Sequence, residues 1–412
     1  MIDTLRTGDV VRYTVNGKTA LTGVYITERD GMAVIKLESG YNIGASPERI
    51  EFIERPAARP PAAAVAVAQN PDLPELAILS TGGTIASRVD YRTGAVMSQF
   101  SAADILRAIP ELSGIARYRD RQIASILSED MQPALWQNLA RAIYDEIRAG
   151  VEGVIVTHGT DTMAYSAAAV RFMLRTPVPI VFVGAQRSAD RPSSDNAMNA
   201  LCSAAAATSD LGEVAVVMHA TTNDDRCAIH RATRVRKMHT SRRDAFQSIG
   251  IEPLGCVDYP SLSVSLSDEA VRRGAQEPEL QDSLEERCAL LQFYPGMPAS
   301  VLEAFEGYAG LVISGTGLGH VSSGLVPALR EMIEDGTTVV MTSQCLNGRV
   351  CDRVYNTGRD LLAAGVIEGE DMLPEAALVK LMWVLGNESD PERVRRLVQT
   401  DLAGEMQRRS IP

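Results

Sequence analysis

The chain has no apolar run near the roughly 20 residues that cross a bilayer, so none of its 412 residues is expected to span a membrane. It has no Cys-x-x-Cys pair either. Its cysteines stand at 202, 227, 256, 288, 345 and 351, and the two closest are Cys345 and Cys351. In a large chain this scatter predicts free thiols rather than a disulfide framework. The five histidines are dispersed, and a zinc site would want tighter His/Cys clustering. No Gly-x4-Gly-Lys-Ser/Thr phosphate loop occurs. The Gly-rich segment GTGLGH at 315–320 is spaced GxGxG rather than GxGxxG, which does not make a dinucleotide site. The first ten residues, MIDTLRTGDV, lack a basic stretch leading into an apolar one, so no export signal is expected and the protein reads as cytoplasmic. Positive charge is in deficit: 40 Lys and Arg against 52 Asp and Glu, a net charge of -12. Counterion-releasing contact with nucleic acid needs clustered Lys and Arg. Tight stand-alone RNA binding is therefore not expected, whereas a subunit that leaves most nucleic-acid contact to a partner would fit.

What is present reads as soluble and globular, with 45% hydrophobic and 22% charged residues. The length suggests two or three domains. Residues 1–55 form the first: VVRYTV, ALTGVYIT and MAVIKLE are short β-rich runs set apart by the turn dipeptides Asn16-Gly17 and Asp30-Gly31. A small SH3-like β-barrel is expected there. Residues 56–74, rich in Ala and Pro, cannot build a core and read as a semi-extended linker.

From residue 75 the pattern becomes α/β. LAILS, GVIVTH, VPIVFVG and EVAVVMH are nearly all apolar, as parallel strands covered on both faces must be. MQPALWQNLARAIYDEIRAG and MAYSAAAVRFMLR read as helices between them. This alternation predicts a parallel sheet with helices on both sides, with ligands beyond the carboxyl ends of its strands. The first α/β domain is placed at 75–270. The polar stretch 255–285 is expected to connect it to a second α/β domain at 286–412. There CALLQFYP, GLVISG and TTVVMTS read as strands, and PASVLEAFE and LVPALREMIEDG as helices.

Two strand ends carry hydroxyls. LAILS runs into Thr81-Gly82-Gly83-Thr84, where paired glycines let backbone approach a ligand. A tight turn with a polar cap is the plainer reading of that segment. GVIVT runs into His158-Gly159-Thr160-Asp161-Thr162 ahead of a helix, and taken alone Asp161 or Thr162 reads best as its N-cap. Two strand-end threonines beside a carboxylate argue instead for a hydroxyl nucleophile, which needs an activating base. A lysine can supply one.

GGTIAS followed by THGTDTM resembles the paired signature of bacterial-type asparaginases, and the resemblance covers about residues 75–400. VFVGAQRSADRPSSDNAMNA resembles the strand and Asp-rich loop that follow the second motif, and DMLPEAALVKLMWVL at 371–385 resembles the closing helix. The fold implied is a two-domain asparaginase-like parallel-sheet fold, here preceded by the small barrel. The resemblance implies Thr84 as nucleophile, Thr160 and Asp161 as the second motif, and Lys237 as the lysine that activates Thr160 or its water. Ser128 and Glu129, in ILSEDM, match the position holding the substrate's α-carboxylate and α-amino groups. Many free asparaginases have glutamine where Glu129 stands. Tyr91 falls where the family has a lid tyrosine, and His320 stands where free asparaginases often have asparagine.

The added β module, with STGGTIASRVDYRTGAV and RATRVRKMHTSRRDAF, is similar to the D-subunit family of archaeal glutamyl-tRNA(Gln) amidotransferases. That resemblance implies a glutaminase that passes ammonia to an E subunit in a heterotetramer of two D and two E chains, with a homodimer through the asparaginase-like domains. Glu-tRNA(Gln) would be held mainly by the partner. No cofactor or metal is implied for this chain, and the ATP and Mg used by the complex would be bound in the partner. Two rivals remain: a stand-alone L-asparaginase with an appended regulatory domain, and a non-catalytic RNA-binding assembly subunit. Arg231, Arg234, Arg236, Arg242 and Arg243 read most simply as a solvated face, or alternatively as a contact for a partner or tRNA.

Overall fold

A computed structural model describes residues 5–15, 19–29, 31–37, 42–56, 69–82, 88–89, 96–97, 102–187 and 193–409. Asn16, Gly17, Asp30 and most of the linker lie outside the described residues. The N-terminal unit has strands β1 (Val10–Thr14), β2 (Ala20–Arg29), β3 (Met32–Leu37), β4 (Asn42–Ala45) and β5 (Ile50–Glu54). They form an antiparallel sheet in the order β4-β3-β2-β1-β5. Alternation along the strands puts Val11, Tyr25, Ala33, Ile35, Ala45 and Ile50 in a shared core. Asp9 closes the unit: its buried carboxylate accepts from Arg55 Nε at 2.7 Å and Nη2 at 2.8 Å. The Arg55 guanidinium holds that carboxyl below its usual range.

The middle unit is built on β6 (Glu75–Gly82), β7 (Arg117–Ile126), α1 (Pro133–Arg148), β8 (Gly153–Thr157), α2 (Met163–Met173), β9 (Ile180–Val183), α3 (Asn196–Ala207) and β10 (Val214–His219). It continues with β11 (Arg226–Arg231), the hairpin β12 (Val235–Lys237) and β13 (Phe246–Ser248), then β14 (Gly255–Asp258) and β15 (Ser263–Leu266). The main sheet runs β15-β14-β11-β10-β9-β8-β6-β7. Strands β10, β9, β8, β6 and β7 are mutually parallel, as their unbroken apolar runs predict. Every residue of β8 is buried. One apolar core, with α3, lies on one face of this sheet. A second core, with α1 and α2, lies on the other.

Three expectations need correcting. The sheet is not wholly parallel, because β11, β14 and β15 pair antiparallel. Much of the polar stretch 255–285 is therefore sheet rather than connector. Ser263–Leu266 alternates exposed and partly buried residues, and Gly255–Asp258 holds one buried residue among partly buried and exposed ones, a weaker signal than a buried parallel run. The end of MAYSAAAVRFMLR is also not helix: Leu174–Arg175 is a short strand paired with Glu279–Leu280.

The last unit has β16 (Cys288–Gln292), β17 (Gly310–Gly315), α4 (Val326–Glu334), β18 (Thr338–Ser343), α5 (Asn356–Ala364), β19 (Ile367–Glu368), α6 (Pro374–Asn387) and α7 (Pro391–Val398). Its sheet, β16-β17-β18-β19, is parallel throughout. PASVLEAFE forms a 3-10 helix over Ala299–Phe305 rather than an α-helix. The two α/β units share a core in which Trp136 and Ala140 of α1, Phe172 and Met173 of α2, and Val379 and Met382 of α6 are buried. Among the described residues no helix is long and apolar enough to cross a membrane.

Candidate active site

Strands β6 and β8 are parallel neighbours, with Ser80 opposite Thr157. Both motifs therefore leave the sheet side by side at its carboxyl edge. The Thr81 hydroxyl donates to the Thr157 carbonyl at 3.1 Å and ties the two exits together. Gly82 has φ +115°, and a Cβ there would lie 2.3 Å from the Ile126 carbonyl oxygen, so only glycine fits this turn. Thr84 and Tyr91 lie beyond it, outside the described residues.

The second motif fills the five positions between β8 and α2. Thr160 is buried, and Lys237 Nζ donates to its Oγ1 at 2.9 Å. The same ammonium nitrogen is 2.9 Å from Asp161 Oδ1. The plain capping reading of this segment does not hold. Thr162 occupies the N-cap position of α2 but makes no side-chain cap hydrogen bond. Its hydroxyl donates instead to the Ser128 carbonyl at 2.7 Å, while Asp161 is engaged by Lys237. His158 is wholly buried, with Nδ1 2.7 Å from the Gly159 carbonyl. Burial pushes its pKa down to about 4, so the ring is neutral at neutral pH.

Ser128 and Glu129 sit on a single 3-10 turn, Ser128–Asp130, that abuts this loop. Ser128 is buried against Gly159, where a Cβ would lie 2.6 Å from the Ser128 Cβ. Glu129 is exposed. The structure thus brings Thr160, Asp161, Lys237 and Ser128 together, with Glu129 next to Ser128.

Lys237 stands on the hairpin β12–β13, opposite Phe246. The neighbouring arginines explain why the hairpin is fixed; Arg231 and Arg234 are buried rather than part of a solvated face, whereas Arg242 is exposed. Arg234 is 1% exposed and donates to the Asp371 carbonyl at 2.7 Å, the Glu405 carbonyl at 3.0 Å and Asp371 Oδ2 at 3.1 Å. Arg231 pairs with buried Glu213 at 3.0 Å, and Arg236 with Glu375 at 3.1 Å. Arg242 and Arg243 pair with Asp244 and Asp224. Each of the five is matched by a carboxylate of this chain. Two of these, Asp371 and Glu375, belong to the C-terminal unit, which therefore braces the hairpin that carries Lys237. Residues 184, 195, 199 and 219, which support the loop from behind, carried no role in the sequence reading.

The GTGLGH segment closes on itself after β17, with Thr316 N donating to the His320 carbonyl at 2.8 Å. His320 Nδ1 is 3.7 Å from the buried Asp352 carboxylate. Burial, with Glu368 nearby, pushes the Asp352 pKa up to about 7. Among the described residues no group of three or more His, Cys, Asp or Glu is placed to hold a metal.

A hydroxyl in hydrogen-bond reach of a lysine, itself oriented by a carboxylate, is the nucleophile–base–orienter arrangement of covalent catalysis. Set at the carboxyl edge of a parallel sheet, with a second α/β unit behind it, it defines a protein of the asparaginase class of amidohydrolases. Comparison with known proteins agrees. Residues 75–270 match the family Asparaginase, N-terminal, and residues 287–398 match the Glutaminase/Asparaginase C-terminal domain. The thermostable L-asparaginase of Thermococcus kodakarensis superposes with a TM-score of 0.72 at 34% identity, covering 81% of this chain and 99% of that one. Residues 5–54 match the GatD N-terminal domain. The D subunit of the glutamyl-tRNA(Gln) amidotransferase of Methanosarcina mazei is 54% identical over 97% of both chains. That of Halobacterium salinarum is 53% identical over 98% of both. The chain belongs to the family of glutamyl-tRNA(Gln) amidotransferase D subunits.

Proposed function

We propose that this chain is the glutaminase of a tRNA-dependent amidotransferase. It hydrolyses the side-chain amide of glutamine and passes the ammonia to a partner E subunit. The partner uses ATP and Mg to activate the glutamate of Glu-tRNA(Gln), which the ammonia then converts to Gln-tRNA(Gln). The observation that carries this reading is the Thr160–Lys237–Asp161 cluster in a chain whose likeness to its D-subunit relatives runs its whole length, N-terminal unit included.

In the chemistry proposed, Asp161 and Glu129 pair with the α-ammonium of glutamine, and Ser128 binds its α-carboxylate. The Thr84 hydroxyl attacks the amide carbonyl, and its proton passes to the departing nitrogen, which leaves as ammonia. Backbone N–H groups of the first loop stabilise the oxyanion, at about 3 kcal/mol per donor. Lys237 activates Thr160 or the water it holds. That water then splits the threonyl ester to release glutamate and restore the hydroxyl. Tyr91 closes over the nucleophile. The absence of a Gly-x4-Gly-Lys loop in the sequence supports placing ATP in the partner. The reading also includes a cytoplasmic heterotetramer of two D and two E chains, with a homodimer through the asparaginase-like domains.

The test is ammonia release from glutamine and from asparagine, by the chain alone and then with the E subunit, Glu-tRNA(Gln) and ATP. Low basal release that rises strongly in the full mixture supports the proposal. High release from asparagine that ignores the additions marks a stand-alone asparaginase instead.

A further inference from the structure

A chain of buried polar groups runs from the back of Thr160 to His219. It begins at Gly184, just past β9. A Cβ there would lie 2.8 Å from Thr160 Cγ2 and 2.8 Å from the His158 carbonyl oxygen, so this backbone is the wall against which Thr160 packs. The Gly184 carbonyl accepts from Asn199 Nδ2 at 3.0 Å. Asn199 also donates to Asp195 at 3.0 Å, and Asp195 accepts from the backbone N–H groups of Gln186 and Arg187, each at 2.9 Å. These bonds fix which end of the Asn199 amide is oxygen. That oxygen accepts from the His219 backbone N–H at 3.1 Å and meets His219 Nδ1 at 2.6 Å.

Because the Asn199 oxygen can only accept, Nδ1 of His219 carries a proton. The other ring nitrogen, Nε2, faces Asp224 Oδ1 at 3.4 Å. Asp224 in turn pairs with Arg243 at 2.5 Å, and Arg243 also donates to the Thr222 carbonyl. Arg243 lies in the turn between β12 and β13, six residues beyond Lys237. Asp195, Asn199 and His219 are all 0% exposed. Burying such groups is costly unless they are fully bonded, so a run of them behind Thr160 asks for a reason beyond packing.

We propose that His219 is a positioning residue for the Thr160–Lys237 pair. Its Nδ1–H holds the amide that keeps Gly184 against Thr160. This rests on the proposed role of Thr160 and Lys237. The charged groups around His219 are Asp195, Asp224 and Arg243, and burial, the strongest influence, lowers its proton affinity. The resting ring is thus neutral with its hydrogen on Nδ1, and the bond to Asn199 is the one that matters for Thr160.

The test uses the full chain with its partner and measures kcat and KM for glutamine across pH, with melting temperatures, for His219→Asn, His219→Gln, His219→Leu, Asp224→Ala and Lys237→Met. An asparagine amide nitrogen takes the place of Nδ1, whereas a glutamine amide nitrogen takes that of Nε2. His219→Leu and His219→Gln are expected to lower kcat about ten-fold or more, with KM little changed, since sub-ångström misplacement of a reacting group has that scale. His219→Asn recovers most of kcat. Asp224→Ala, at an exposed side chain, serves as a control that melts and turns over as the parent does, since the neutral ring has no Nε2 hydrogen to give that carboxylate. A folded His219→Leu or His219→Gln with parental kcat overturns the proposal. So does a His219→Asn as slow as His219→Gln. Should Lys237→Met turn over normally, the reading of the site itself fails, which is a separate result.

Discussion

Gly159→Ala adds one methyl group where the site has no room. The new Cβ would lie 2.6 Å from Ser128 Cβ and 2.9 Å from Ser128 Oγ. Carbon atoms settle at roughly 3.5–4.0 Å, so the two segments must part by about 1 Å. Neither can do so freely. Ser128 is buried, and its carbonyl is held by Thr162 Oγ1 at 2.7 Å. Thr160, next in the chain, is held by Lys237 at 2.9 Å. A displacement of about 1 Å at reacting groups costs about 100-fold in rate, which is about 2.7 kcal/mol at 1.36 kcal/mol per decade. The overpacking itself costs about 1–3 kcal/mol of stability. The assay is steady-state ammonia release from glutamine by the assembled complex, alongside a thermal melt. We expect kcat to fall about 100-fold, KM to rise because Ser128 moves, and the melting temperature to drop. A kcat within about two-fold of the parent, where a displacement of this size predicts about 100-fold, with an unchanged melt, would refute the reasoning.

Lys237→Met removes the donor to Thr160 and the partner of Asp161. Loss of a general base is worth about 100- to 10,000-fold in kcat, read from the same ammonia assay, with the fold intact by circular dichroism. Lys380→Met strands Glu405: the pair is 2.6 Å apart and almost wholly buried, and Lys380 also donates to the Val398 carbonyl. Leaving one buried charge uncompensated costs about 3–5 kcal/mol, so denaturant titration is expected to show a large loss that adding Glu405→Gln partly restores. Stability also falls on acidification. His158 and His230 are both buried, and burial depresses each pKa from 6.5 to about 4. The unfolded chain therefore binds protons first, and the stability these rings contribute is complete above pH 6.5 and lost as pH falls toward 4. Melting temperatures across that window check this, and His230→Asn is expected to flatten the slope.

The parallel strands were legible because burial on both faces leaves an unbroken apolar run, as in GVIVT and IVFV. The antiparallel strands β14 and β15 were not, since their runs GCVD and SVSL are short and carry only one fully buried residue between them. Arg231 and Arg234 were misread for a related reason. A run of positive charge looks solvated when its partners are out of view, and Glu213, Asp371 and Glu375 are brought to it only by the fold. The convergence of Thr160, Asp161 and Lys237 was inferred from motif resemblance and stands at hydrogen-bond distance in the structure. The support behind it, from Gly184 through Asn199 to His219, could not be read from residue patterns, because its bonds join a helix residue to two strand ends brought together only by the fold.

The measurement that bears most directly on the central claim follows nitrogen from amide-labelled glutamine through the complex of this chain with its E subunit, Glu-tRNA(Gln) and ATP. The account predicts that the label appears in the side chain of tRNA-bound glutamine and that Lys237→Met abolishes its transfer, while free ammonia supplied to that variant restores amidation. Label released only as free ammonia, at a rate indifferent to the partner, tRNA and ATP, would contradict it.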